Sequence, residues 1–187
     1  MSNDSFLPKG GGYRNLRAYK VATIIYDLTF YFTQTYLSGR DRTVDQMVQA
    51  ARSGKQNIVE GSLASRTSKE TEIKLTNVAY ASLGELLDDY TDYLRVRDLP
   101  VWNDTHPRFA KMKLYAQSTE FEAGYREVIK IFDDEVLANL CVTLINQCQF
   151  LLGRLIKAQE RQFIENGGVK EAMYRARVSR RMIPSEE

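Results

Sequence analysis

The sequence has few residues that break helices or build disulfides. Its 187 residues include only 4 prolines, 11 glycines, 2 cysteines and one histidine. The scarcity of proline and glycine favours long helices. Cys141 and Cys148 are seven residues apart on one predicted helix, so about 10 Å separates their Cα atoms and an intrachain disulfide is excluded. Unpaired cysteines fit a reducing cytoplasm.

The sequence also lacks long apolar runs, a strong net charge and phosphate-binding motifs. The most apolar run, residues 21–32, is shorter than a spanning helix and contains Asp27, and no signal peptide is visible. We therefore expect a cytoplasmic protein without membrane contact. The net charge of +2 says little about partners. Gly10, Gly11 and Gly12 follow no strand, so we expect no phosphate loop and no cofactor.

Helical periodicity is what the sequence does contain. Apolar residues make up 43% of the chain and charged residues 27%, which suits one domain with a core and a soluble surface. Apolar positions recur at alternating intervals of three and four, and no strand pattern is left over. The fourth long segment carries a heptad seam at Leu137, Cys141, Leu144, Cys148, Leu151 and Leu155. Long helices are predicted over residues 13–37, 43–61, 67–97 and 133–165.

Connection lengths predict an all-α, antiparallel up-and-down four-helix bundle. Short links join the first three long helices, and a longer break after Pro100 lets the fourth return. The chain then divides into a flexible arm (1–12), three bundle helices (13–97), an irregular helical insert (98–132), the fourth helix (133–166) and a basic C-terminal helix with its tail (167–187).

The long helices carry more apolar surface than one bundle core needs. In the first helix, one stripe passes through Leu16, Tyr19, Thr23, Tyr26 and Phe30, and a second through Ile25, Leu28 and Phe32. The third helix has a second stripe at Ile73, Tyr80, Leu87 and Leu94. A second copy of the chain is the expected cover for such a stripe. The pattern therefore predicts a homo-oligomer.

Several motifs resemble a bacterial four-helix-bundle family. They are Asn57-Ile58-Val59-Glu60-Gly61, Arg66-Thr67-Ser68-Lys69-Glu70 and Ala81-Ser82-Leu83-Gly84-Glu85-Leu86. The family's first members came from open reading frames in ribosomal RNA intervening sequences, and its superfamily includes the accessory protein of diversity-generating retroelements. Val59 departs from the alanine that is usual in the family.

The remainder of the chain resembles the "four helix bundle suffix domain" variety of that family. The matching residues are Leu99-Pro100-Val101-Trp102, Ala138-Asn139, Leu144-Ile145-Asn146, Leu151-Leu152, Gly167-Gly168, Arg177 and Arg180-Arg181. The resemblance implies a homopentameric barrel around a central channel, without an established catalytic site. It also implies nucleic acid and a reverse transcriptase as partners, although the retroelement protein lacks the suffix.

A polar loop motif joins the second and third helices. It comprises Asn57, Glu60, Gly61, Arg66, Thr67 and Glu70. Thr67 and Glu70 match a capping box, and Gly61 is the predicted helix end. Because a helix C-terminus disfavours an anion by about 0.3–1 kcal/mol, we expect Glu60 to accept from amides near Ser68 or to pair with Arg66. The alternative is contact with a ligand.

The other candidate sites favour structure over chemistry. Glu85, Asp88, Asp89 and Asp92 crowd one helix face, which predicts a solvated surface or intersubunit ion pairs rather than a metal site. A di-iron bundle needs histidines on its helices, and the single His106 lies in a loop. Both cysteines fall in the heptad seam and are expected to be core residues. We therefore expect neither a metal nor an enzyme.

The basic C-terminal segment is the strongest functional candidate. It carries Lys170, Arg175, Arg177, Arg180 and Arg181 with a net charge of +4 between residues 168 and 183. Arg14, Arg17, Lys20, Arg40 and Arg42 could extend it into a basic rim. Guanidinium groups bind phosphate through paired hydrogen bonds.

Two functions fit this charge. The first is an accessory protein that binds structured RNA or single strands, with a nucleic-acid enzyme such as a reverse transcriptase as a possible partner. The second is a protein-interaction scaffold whose basic helix grips an acidic partner or docks on the acidic face of the third helix. A solubilising tail is the third interpretation of the segment.

Overall fold

The computed structural model describes residues 12–39 and 41–181, and every regular element in these ranges is helical, as predicted. A 3-10 turn at Gly12–Asn15 precedes the first helix, and another at Ile129–Ile131 follows the fifth. The α-helices are α1 (Arg17–Tyr36), α2 (Arg42–Ala64), α3 (Lys69–Val96), α4 (Phe109–Ala116), α5 (Thr119–Val128), α6 (Asp134–Asn166) and α7 (Val169–Arg181). The predicted arm, apart from residue 12, lies outside the described residues.

The four longest helices pack in a bundle-like arrangement. In sequence around the core, α1 packs on α2, α2 on α3, α3 on α6, and α6 on α1. Contacts at both ends of a helix pair give its direction. The start of α3 meets the end of α6 through Glu72 and Gln159, and the end of α3 meets the start of α6 through Tyr93 and Asp134. These two helices are therefore antiparallel.

Two glycines let α2 and α3 approach closely. A Cβ at Gly54 would lie 2.8 Å from the Leu83 side chain, and one at Gly61 would lie 3.3 Å from the Glu72 carbonyl oxygen. The sequence predicts that α2 ends at Gly61, and this is wrong: the helix continues to Ala64. The residue is buried at a helix contact, where any larger side chain would push the helices apart.

The start of α3 also corrects the predicted capping box. The N-cap is Ser68, whose hydroxyl accepts from the Thr71 amide at 3.1 Å. Thr67 instead donates to the Ala64 carbonyl, and Glu70 accepts from the Ser68 hydroxyl at 3.1 Å. The N-cap lies one residue later than predicted because Thr67 belongs to the turn after α2, where its hydroxyl is already bonded.

The core contains one of the two α1 stripes that the sequence shows. Ile25, Leu28 and Phe32 are fully buried inside one chain, whereas Tyr26 is half-buried and Phe30 is 51% exposed. Periodicity finds stripes without showing which one faces the core, and the association of copies stays a prediction. The insert adds further cover, since α5 packs on α1 and α4 packs on α6.

One stretch, Asp134–Ser179, is long and apolar enough to cross a membrane by length and composition alone. Most of its apolar window, 61%, is buried inside the protein, as in the core helix of a soluble domain. Among the described residues, the stretch that passes this test of length and hydropathy is Asp134–Ser179, and residues 21–32 do not pass it.

Candidate nucleic-acid interface

The basic helix α7 stands clear of the other helices. It forms no extended packing with any of the described helices, and Tyr174 is 69% exposed. Gly167, with a φ of 70°, breaks the chain after α6, and the Gly168 amide then donates to Glu171 at 2.9 Å. The helix leaves from the end of the bundle that holds the start of α3. The acidic residues 85–92 are therefore out of its reach within the chain.

One face of α7 combines charge with an aromatic ring. Positions 170, 174, 177 and 181 follow the spacing that places residues on one helix face, so we define Lys170, Tyr174, Arg177 and Arg181 as the α7 stripe. Lys170 and Arg177 are exposed and form no ion pair with any described residue. Arg175 lies outside the stripe and donates to the Asn166 carbonyl. The side chains of Arg180 and Arg181 lie outside the description.

Helix α6 carries a second basic row that the sequence analysis missed. Arg154, Lys157 and Arg161 are all exposed and lie on the face of α6 that begins with Phe150. We define these three cations as the α6 track. The spacing from Phe150 to Arg161 is the same as that of the α7 stripe, so a search for basic residues at helical spacing would have found it.

The remaining predicted cations do not form one rim. Arg17 forms an ion pair with Glu122 of α5, and the Lys20 nitrogen lies 3.9 Å from the same carboxylate. Arg14 rests over the Tyr13 ring, 5.6 Å from its centroid. Arg42 begins α2 at the other end of the bundle from α7, and Arg40 lies outside the described residues. A single basic rim is therefore wrong, because Arg42 and α7 are at opposite ends.

A groove of about 750 Å³ lies between α3, α6 and the insert. Its aromatic lining consists of Trp102, Phe109 and Phe150, and its polar lining includes Asp88 and Gln147. Each aromatic ring has a cation nearby, at centroid distances of 5.7 Å, 5.8 Å and 6.0 Å for Arg108, Lys113 and Arg154 respectively. Aromatic rings beside cations are typical of surfaces that bind single-stranded nucleic acid.

The groove wall is anchored by Trp102. Its backbone amide donates to Asn139 Oδ1 at 2.7 Å, and its indole Nε1 donates to Glu135 Oε1 at 2.8 Å. Asn139 also donates to the Pro100 carbonyl at 3.0 Å, while His106 stacks on the indole with centroids 4.4 Å apart. Two motifs of the suffix resemblance, residues 99–102 and 138–139, thus meet in space. His106 lies in a loop, as predicted.

The loop motif shows no ligand-binding geometry. Glu60 is exposed and makes no hydrogen bond or ion pair with any described residue, so the predicted contacts to Ser68 amides and Arg66 are wrong. The side chain lies within α2, one turn before its end, where carbonyl groups are already bonded. Asn57 donates to the Ser53 carbonyl at 2.9 Å, and the Ser53 and Ser82 hydroxyls are 2.9 Å apart. These contacts join α2 to α3.

Burial raises the pKa of both cysteines and of one carboxyl group on α3. Burial raises the pKa of Cys141 and of Cys148 to about 12, so both thiols are inert core groups. Burial, followed by the charges of Asp88, Asp92 and Glu85, raises the pKa of Asp89. Within residues 12–39 and 41–181, no group of three or more His, Cys, Asp or Glu side chains could hold a metal ion.

Comparison of the chain with known protein families, with curated proteins and with solved structures gives no match to any of the three.

Proposed function

We propose that this chain is a non-enzymatic accessory protein that binds nucleic acid, with single strands or unpaired regions of structured RNA as its ligands. The observation that carries the proposal is the exposed basic surface made by Lys170 and Arg177 of the α7 stripe and by the α6 track, which form no ion pair with any described residue. Cations that have no acidic partner in the fold add little to its stability, yet they are available to phosphate groups.

The spacing of the cations suits a nucleic-acid backbone. The helical rise of about 1.5 Å per residue places Arg154, Lys157 and Arg161 roughly 5 Å apart along α6. A row of this kind can contact successive phosphates without reading bases. Tyr174 supplies a ring on which an unpaired base can stack, and such stacking tolerates any sequence.

Fluorescence anisotropy with a labelled single-stranded RNA tests this proposal. The first variant replaces Lys170, Arg177 and Arg181 with alanine, and the second replaces Arg154, Lys157 and Arg161. We expect each to weaken binding and to reduce the slope of log K against log salt by about 0.7 for every phosphate that the variant no longer neutralises. The matched control replaces Arg42, Arg52 and Arg95, three cations away from both surfaces.

The control separates specific contacts from net charge. All three variants remove the same charge, so a general electrostatic effect would weaken them equally. Equal loss of nucleic-acid affinity in all three variants, or unchanged affinity in the first two, would overturn the proposed nucleic-acid binding. Binding by the control at the wild-type level, with a reduced salt slope in the other two, supports it.

We also propose that the four long helices form an antiparallel four-helix bundle of the resembled family and that copies associate, as a pentamer in the resembled arrangement. Support comes from large side chains that remain exposed on two bundle helices: Phe30 at 51% and Tyr80 at 41%. Light scattering at dilute concentration tests association against the chain mass of 21.5 kDa. A single-chain mass would exclude it.

A protein-interaction scaffold is the second candidate. The observation in its favour is the exposed apolar surface of α7, where Met173 is 42% and Val178 is 37% exposed. This scaffold would show no nucleic-acid binding at moderate salt, so the anisotropy experiment also separates the two candidates.

A further inference from the structure

We propose that the groove between α3, α6 and the insert receives one unpaired nucleobase that carries an exocyclic amino group. This inference rests on the proposed function, because the base would belong to a strand held on the α6 track. It adds a site for a base to a surface that otherwise contacts only the backbone.

The groove has the size and the lining that a base needs. Its volume of about 750 Å³ lies within the range of small-ligand sites, about 300–1,000 Å³. Phe109 and Phe150 present flat apolar surfaces, Trp102 contributes the small exposed part of its ring, and Val101, Val142 and Leu87 complete the apolar lining. Planar bases stack on such rings, whereas a flexible aliphatic ligand gains nothing from their flatness.

The polar lining selects the chemistry of the base edge. Asp88 and Asp104 are hydrogen-bond acceptors, and Oε1 of Gln147 is buried without any partner among the described residues. The Gln147 oxygen needs a donor from a ligand, because a buried unpartnered oxygen is costly, while the exposed carboxylates of Asp88 and Asp104 offer further acceptors. Adenine, guanine and cytosine offer amino groups as donors, while uracil offers only one ring N–H between two carbonyl oxygens. The lining also contains the donors Lys113 and Asn103, so the preference for an amino-bearing base over uracil rests on the buried Gln147 oxygen and the two carboxylates.

The groove is continuous with the α6 track. Phe150 lines the groove and lies one helical turn before Arg154, whose guanidinium is 6.0 Å from the Phe150 ring centroid. A strand whose phosphate binds Arg154 would therefore place an adjacent base at Phe150. Lys113 is the cation that lines the opposite wall on α4.

The chain contains one tryptophan, Trp102, and it lines this groove. Its fluorescence therefore reports occupancy directly. The experiment titrates the full-length protein with AMP, GMP, CMP and UMP, with free N-acetyltryptophanamide as the correction for light absorbed by the nucleotides. We expect saturable quenching by the three amino-bearing nucleotides and a weaker response to UMP.

Two variants test the assigned contacts. Phe150→Ala removes an exposed stacking surface and should weaken CMP binding by about tenfold. Asp88→Asn keeps the shape but removes the charge, and it should reduce the preference for CMP over UMP. Asp92→Asn is the matched control: it lies one turn further along α3, outside the groove lining, where it pairs with Arg95.

Each contrary outcome has a distinct meaning. No quenching by any nucleotide, with strand binding intact by anisotropy, overturns the base site and leaves the proposed function standing. Equal responses to CMP and UMP overturn the acceptor assignment. If Trp102 fluorescence changes with protein concentration but not with added nucleotide, a second copy of the chain occupies the groove, and the proposal is overturned.

Discussion

The insert and helix α7 both lie outside the four packed helices, yet they are held in opposite ways. The insert, residues 98–132, buries Trp102, Phe121 and Ile129 almost completely. Helix α7 has no fully buried side chain among its described residues, and Tyr174 is 69% exposed.

The charged side chains of the two regions also differ in whether they form ion pairs. In the insert, Glu122 pairs with Arg17, and Arg126 pairs with Asp27 at 2.7 Å. In α7, Lys170 and Arg177 form no ion pair with any described residue. Burial and pairing fix the insert to the bundle, while the exposed, unpaired charges of α7 remain free to bind other molecules. The comparison therefore separates a region that is fixed to the bundle from the region that we propose to bind nucleic acid.

The largest expected effect comes from removing one aromatic side chain from each region and comparing the two losses of unfolding free energy. Phe121→Ala should lower the free energy of unfolding by about 3–5 kcal/mol, because it leaves a cavity at a fully buried position. Tyr174→Ala should change it by about 0.5 kcal/mol or less. Urea unfolding followed by circular dichroism measures both. Similar destabilisation in the two variants would contradict the contrast.

A second, smaller effect concerns the hydrogen bonds that anchor the insert. Asn139→Ala leaves the buried Trp102 amide without its acceptor and should cost about 1–3 kcal/mol of unfolding free energy. Asn77→Ala is the control, since Asn77 is exposed and bonds only the Ile73 carbonyl of its own helix. If both variants were equally stable, the anchor would have no structural role. Urea unfolding again provides the measurement.

The Tyr125 hydroxyl gives a pH-dependent test of how the insert is attached. Burial, followed by the hydrogen bond to Asp27, raises the pKa of Tyr125. Stability from this group is therefore complete below the unfolded pKa of about 10 and declines as pH rises through the folded pKa. Tyr125→Phe should cost about 0.5–1.5 kcal/mol at neutral pH.

The cost of Tyr125→Phe should then shrink in alkaline solution, because the wild-type protein loses the contribution that the variant never had. Thermal unfolding at a series of pH values measures the difference. Tyr174→Phe, an exposed hydroxyl on α7, should match the wild type at neutral pH. A Tyr125→Phe penalty that grew with pH would contradict the assigned contact.

The smallest expected effect is deletion of all residues after Gly167. Because α7 forms no extended packing with other described helices, the free energy of unfolding should fall by about 0.5 kcal/mol or less. Nucleic-acid affinity should fall at the same time. Calorimetry and anisotropy on the same sample make the comparison. A large loss of stability would instead favour a protein-interaction scaffold whose basic helix packs against its own bundle.

Much of the helical structure was predictable, whereas the site was predictable only in part. The heptad seam from Leu137 to Cys148 is buried as expected, because its period is a local property of the chain. The exposed cations on α7 are also among the residues that the sequence singles out. The α6 track was not predicted because its cations are interspersed along a helix dominated by its apolar seam, although their helical spacing is visible in the sequence.

The corrections share a physical cause. The sequence predicts a helix end at Gly61, but Glu72 and Leu75 of α3 occupy the space that a side chain would need. It also predicts the insert without showing how the insert is attached, which Asn139 and Glu135 of α6 decide by bonding to Trp102. In each case the deciding atoms come from another helix, and no pattern within one segment contains them.

The sequence alone determined the helices, the buried cysteines and the excess of basic charge at the C-terminus, because periodicity and composition act over a few neighbouring residues. Tertiary structure decided which α1 stripe forms the core, which arginines are neutralised by ion pairs and which aromatic rings share a groove. Those outcomes depend on contacts between residues far apart in the chain, such as Arg17 with Glu122.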